Sequence, residues 1–96
     1  MNNTNETVYT TRATALLSRL AKQNPNAYEC LEQVCYTASG RSEIAMAEAV
    51  AEDLARLTRG EVSADALLAE CLDGAEDADV IAGWTDYVSA LASEVG

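Results

Sequence analysis

The chain has 96 residues, 49% of them apolar, and carries 16 acids against 6 bases for a net charge of −10. A single domain of this length buries roughly 60–65% of its unfolded surface, enough for a core but not for a deep enclosed cleft. Charge of this sign repels nucleic-acid phosphates and anionic membranes, so neither is an expected direct partner, whereas a cationic protein surface is.

The apolar residues are of a helical kind: 18 Ala and 10 Leu stand against 2 Ile, 7 Val and no Phe. Ala and Leu favour helices, and the β-branched and aromatic residues that suit a pleated sheet are scarce. The expected fold is an all-α, compact bundle of about five short helices over residues 1–96, with the polar residues 1–5 frayed.

From about Glu6 to Gln23, Tyr9, Ala13, Leu16, Leu17 and Leu20 recur at helical spacing. The strand-like composition of Thr7–Thr11 also allows a later start, near Thr11. Asn24 and Pro25 then read as N-cap and first residue of a second helix. That helix is expected to run to Ser39 with Tyr28, Leu31, Val34, Cys35 and Ala38 on its apolar face. Gly40 is expected as its left-handed terminator. The short connection predicts antiparallel packing of helices one and two.

Ser42 is the expected cap of a third helix reaching about Arg59, before Gly60. Its inner face reads as Ile44, Ala47, Val50, Ala51, Leu54 and Leu57. Glu48, Glu52 and Arg56 face outward, Glu52 and Arg56 in the favourable i, i+4 order. Ser63 caps a fourth helix with the stripe Leu67, Leu68, Cys71 and Leu72, ended by Gly74. Asp77 or Asp79 caps a fifth carrying Ile81, Trp84, Val88, Leu91, Ala92 and Val95.

Three Cys, an odd count, and no His leave no ordinary thiolate or imidazole metal framework. Cys35 and Cys71 fall on apolar faces and are expected in the core, whereas Cys30 is expected partly exposed. The N-terminus lacks the basic and apolar regions of a signal peptide, so free thiols and a cytoplasmic location are expected. A calcium loop begun at Asp77 would have Asp79 at position 3 but Ile81 and Ala82 at positions 5 and 6, where an oxygen ligand and Gly are required. Without His or a Gly-rich phosphate loop, neither enzymatic activity nor a cofactor or metal is expected.

Charge is unevenly spread. Residues 1–40 hold three acids and three bases, and residues 41–96 hold 13 acids against Arg41, Arg56 and Arg59. Between Glu70 and Asp86 stand Glu70, Asp73, Glu76, Asp77, Asp79 and Asp86 with no base. Helix capping and the helix dipole account for one or two acids near a helix start. Clustering the rest costs stability through repulsion, which leaves two readings, a solvated face that serves solubility or contact with cations elsewhere. On the second reading the candidate partner-binding residues are Glu48, Glu52, Glu70, Asp73, Glu76, Asp77, Asp79, Asp86 and Tyr87, the last as an aromatic beside acids. Trp84 lies on the apolar stripe and is expected in the core.

The segment Asp77-Ala78-Asp79-Val80-Ile81-Ala82-Gly83-Trp84-Thr85-Asp86-Tyr87 resembles the acidic helical segment of small phage-encoded anti-CRISPR inhibitors that mimic DNA. Asp77, Asp79, Ile81, Gly83, Asp86 and the two aromatics carry the resemblance. It implies an inhibitor in the host bacterial cytoplasm whose carboxylates stand in for phosphates. These would dock on the basic nucleic-acid-binding surface of a CRISPR–Cas surveillance complex and block DNA binding. The alternative is a small helical adaptor or assembly protein that pairs with itself, as a homodimer, or with another helical protein. Its apolar surface would lie on the neutral N-terminal hairpin with Tyr9, Tyr28 and Tyr36.

Overall fold

The structure is a computed structural model that describes the backbone of residues 4–37, 40–41 and 43–95 and the side chains of residues 8–35 and 44–95. Among the described residues it is an all-α bundle of five helices: α1 (Thr4–Gln23), α2 (Pro25–Val34), α3 (Glu43–Thr58), α4 (Ala64–Cys71) and α5 (Ala78–Val95). Helix α1 begins earlier than the composition of Thr7–Thr11 suggests, because tertiary packing of the Leu16–Leu20 face outweighs weak local propensity. Helix α2 is shorter than expected: it stops at Val34, where the Cys35 N–H closes back on the Leu31 carbonyl. The backbone then forms two two-residue strands, β1 (Tyr36–Thr37) and β2 (Gly40–Arg41), paired antiparallel, so Gly40 belongs to a strand and does not terminate a helix. The expected Ser42 cap, Ala38, Ser39, residues 1–3 and the Tyr36 side chain lie outside the described residues.

The turns follow the local chemistry. Asn24 precedes Pro25 and its carbonyl accepts from the N–H groups of Ala27 and Tyr28, but its side chain makes no capping bond. Helix α3 ends in a Schellman turn. Gly60, at φ +75°, donates to the Leu57 carbonyl, and Glu61 donates to Arg56. Ser63 Oγ accepts from the Ala66 N–H at the start of α4. Asp77 Oδ1 accepts from the N–H groups of Asp79 (2.8 Å) and Val80 (3.3 Å), so Asp77, not Asp79, caps α5.

One core cluster joins all five helices, with Leu16, Leu20, Leu31, Met46, Val50, Leu54, Leu67, Tyr87 and Leu91 at its centre. Helix α1 packs chiefly along α3 and α2 along α5, so α1 and α2 are lesser neighbours than their short connection suggests. Arg12 and Arg19 tie α1 to the far end of α5. Arg12 Nη2 donates to the Glu94 carbonyl and Arg19 Nη2 to the Glu94 carboxylate, both at 2.7 Å. Cations are favoured at that negative helix end.

The inner face of α3 holds Val50 and Leu54 as expected, with Ala47, Ala51 and Leu57 packed against the core, but Met46 joins it and Ile44 does not. Met46, Val50 and Leu54 are fully buried, while Ile44 is 74% exposed. At ~100° per residue, Ile44 lies roughly 160° around the helix from Met46. Val34, Ile81 and Val95 were also expected inside and are exposed. Among the cysteines the order is reversed: Cys30 is buried, and Cys35 and Cys71 are half-buried against the core. Among the described residues no helix is long and apolar enough to cross a membrane.

Candidate functional site

The expected site residues fall into three groups. Glu48 and Glu52 are exposed on α3 and line a shallow cleft against α1 with Tyr9, Thr10, Ala51, Ala55 and Arg59. Asp73 and Glu76 are exposed in the α4–α5 turn, where Asp77 and Asp79 follow at the start of α5. Asp86 is exposed about two turns farther along α5. Among the described residues, none of these seven acids makes an ion pair within the chain. Asp77 is nevertheless committed to capping, and Asp79 sits in the first turn, where the dipole favours an anion.

Two candidates are not free. Glu70 is bound by both Nη atoms of Arg56, at 3.1 and 3.3 Å, which lowers its pKa, chiefly through these hydrogen bonds. Arg56 therefore reaches across to α4 and back to Asp53 instead of forming the expected ladder with Glu52. Tyr87 is wholly buried and cannot serve as an exposed contact. Its ring meets Trp84 edge-on, with centroids 5.6 Å apart and planes at 72°, and its hydroxyl donates to Asp53 Oδ2 at 2.6 Å. Trp84 is in the core, as its place on the stripe predicts.

No sequence spacing marks the Asp53–Tyr87 pair, whose members lie 34 residues apart. Asp53 lies on the same face as Met46 and Val50, so it is a carboxylate on the inward side of α3, its side chain only 21% exposed. Burial raises its pKa, and the Tyr87 hydrogen bond and Arg56 pull it back down only in part. Burial, reinforced by Asp53, also pushes the Tyr87 phenol up. Cys71, half-buried nearby, is pushed up to about 11, mainly by burial. Raised in this way, the Cys71 thiol and the Tyr87 phenol stay protonated near neutrality, and the Asp53–Tyr87 contact braces the core.

A stability consequence follows for Asp53. Its folded pKa lies above its ordinary value of 3.8, so the folded chain holds this proton more tightly than the unfolded chain. That contribution is complete below the unfolded pKa and is lost as pH rises through the folded one. Asp53→Asn keeps an acceptor for Tyr87 and removes the titration. Denaturant unfolding at a series of pH values should show the wild type losing stability relative to this variant as pH climbs from about 4. A difference that is flat with pH would mean that Asp53 ionises freely in the fold.

A second feature lies between α2 and the first turns of α5. Asn26, Glu29, Cys30, Gln33, Val34, Asp79, Val80 and Trp84 line a groove of about 220 Å³. The helices can approach there because Gly83 faces α2. A Cβ on Gly83 would stand 2.7 Å from Cys30 Sγ and 2.8 Å from the Asn26 carbonyl oxygen. The Cys30 thiol donates to the Val80 carbonyl at 3.7 Å across the same seam. Among the described residues, no three His, Cys, Asp or Glu side chains are placed to share a metal ion.

Comparison with protein-family models, curated proteins and solved structures finds no match to this chain.

Proposed function

We propose that the chain is a non-enzymatic acidic binding protein that docks on the cationic, nucleic-acid-handling surface of a larger protein or nucleoprotein complex. The observation that carries this reading is how the internal cations are spent. Arg12 and Arg19 hold Glu94, Arg56 holds Asp53 and Glu70, and Arg59 holds Glu61. Glu48, Glu52, Asp73, Glu76, Asp79 and Asp86 stand exposed on helices or in a short turn without such partners among the described residues. Rigidly held like charges lose little ordering entropy on binding and steer a cationic surface toward them.

A CRISPR–Cas surveillance complex is the particular target named by the resemblance around Asp77–Tyr87. Within that segment Asp77 caps α5, Gly83 admits α2, and Trp84 and Tyr87 pack inside, so Asp79 and Asp86 are left to imitate phosphates. The target is tested with a purified surveillance complex bound to fluorescent duplex DNA. Adding the chain should lower the duplex anisotropy, with weaker competition as salt rises. If the duplex stays bound at every concentration of the chain, Cas complexes are excluded as the target.

For the adaptor reading, Tyr9 and Tyr28 keep part of their surface outward while packing on the core, and the Tyr36 side chain lies outside the described residues. Apolar surface is also offered by Val34, Val80 and Ile81. A partner held only there should stay bound in about 0.5 M salt, where electrostatic docking is screened.

A further inference from the structure

The apolar stripes of α2 and α5 run past the core they serve. On α2, Val34 is in phase with the buried Ala27, Cys30 and Leu31, yet it is 64% exposed. On α5, Val80 and Ile81 are in phase with the buried Trp84 and Val88, and each is 37% exposed. These helices pack on each other, so Val34 and Val80 meet at an open end of their seam and form the mouth of the groove floored by Cys30 and Trp84. Among the described residues the rim is acidic: Glu29 and Asp79 line it, no Lys or Arg does, and Glu76 and Asp77 precede Asp79 in the chain. A space of about 220 Å³ accepts one or two large side chains and not a whole folded element.

Resting on the function proposed above, we infer that this groove receives an aliphatic side chain from a cationic amphipathic segment of the partner, with Lys or Arg on either side of it meeting Glu29 and Asp79. Charge complementarity selects this occupant. A second copy of the chain would bring another net charge of −10 and a second acidic rim against the first. An uncharged apolar segment would leave the rim carboxylates without partners and partly desolvated. The groove would supply an apolar anchor at the centre of the contact, and the surrounding acids orientation and encounter rate.

Trp84 is the sole tryptophan and lines the groove, so its emission reports occupancy directly. The full chain is titrated with three synthetic peptides of equal length: Leu at helical spacing among Lys, the same with Gln for Lys, and Lys throughout. The Leu/Lys peptide is expected to give a saturable change in Trp84 emission and to bind at least tenfold more tightly than either other peptide. The variant Val34→Gln/Val80→Gln, whose sites are exposed and so spare the core, should weaken the Leu/Lys peptide roughly tenfold, the worth of partly burying two valines. If the all-Lys peptide binds as tightly as Leu/Lys, the groove inference is wrong while the cationic-partner reading survives. If the Leu/Gln peptide does so, both fail. Sedimentation showing a dimer that is lost in the double Val variant would assign the groove to a second copy and overturn the proposal.

Discussion

Replacing Tyr87 by Ala should lower the unfolding free energy by about 3–5 kcal/mol, the largest single loss expected anywhere in the chain. The ring is fully buried in the core cluster that joins the helices, and no small movement of one helix can refill its place. Two further losses add to the cavity: the edge-on contact with Trp84, and the hydroxyl that faces the half-buried Asp53 carboxylate. Tyr87→Phe separates these effects. It keeps the ring and strands the carboxylate, which should cost about 1–3 kcal/mol. Paired with Asp53→Asn, the Phe variant should lose less than the sum of the single changes, because the two groups share one interaction. Domains of this size are stable by only about 5–15 kcal/mol, so Tyr87→Ala should lose a large share of that margin and unfold at a much lower denaturant concentration. Circular dichroism in denaturant measures wild type, the three single variants and the double variant. If Tyr87→Ala unfolds like wild type, Tyr87 does not lie in the core.

Gly83→Ala is the second large effect, and its sign runs against helix propensity. In an exposed mid-helix position the change would stabilise by about 1 kcal/mol. Here the new Cβ would sit 2.8 Å from the Asn26 carbonyl oxygen and 3.0 Å from its carbon, and these are backbone atoms of α2 that cannot swing aside. The two helices must part, which should cost about 1–3 kcal/mol overall. For a domain of this size, each kcal/mol lost lowers the melting temperature by about 4–8 °C. Cys30→Ala in the same chain removes the 2.7 Å contact with Sγ but leaves the backbone clash, so it should restore little. A Gly83→Ala protein that melts higher than wild type would show that α2 and α5 are not in close approach at this residue.

The five helices were legible because their signals are local. Pro25, Gly60, Ser63 and Asp77 mark ends by their own backbone or side-chain chemistry, and Leu and Ala fill the faces between. Helix phase was less legible. On α3, Ala residues stand nearly all round, so the edges of the inner face are poorly marked: Val50 and Leu54 lie inside as expected, but Ile44 lies outside and Met46 inside. Asp53 stands on the Met46 edge, beside Val50 and Leu54, as a carboxylate with an internal partner. The partner, Tyr87, is 34 residues away in the chain, and no spacing rule connects the two. The exposed acids were legible as a group, because net charge and its asymmetry need no fold. What could not be read was which acids the chain uses itself. Glu70 goes to Arg56 and Asp77 to the start of α5, and only the turn between α3 and α4, with both helices laid on α5, brings Arg56 within reach of Glu70. The groove beside Val34 was likewise hidden, since a residue in phase with a core stripe reads as buried until the helix is seen to outrun its neighbours.

The acids that remain outward are tested together by changing Asp73, Glu76, Asp79 and Asp86 to their amides and immobilising the folded variant beside wild type in bacterial lysate. Wild type should retain basic nucleic-acid-binding proteins and release them with duplex DNA or with about 0.5 M salt, and the amide variant should retain few. Retention of the same proteins by both, with the same tolerance of salt and DNA, would contradict a role for these carboxylates in binding.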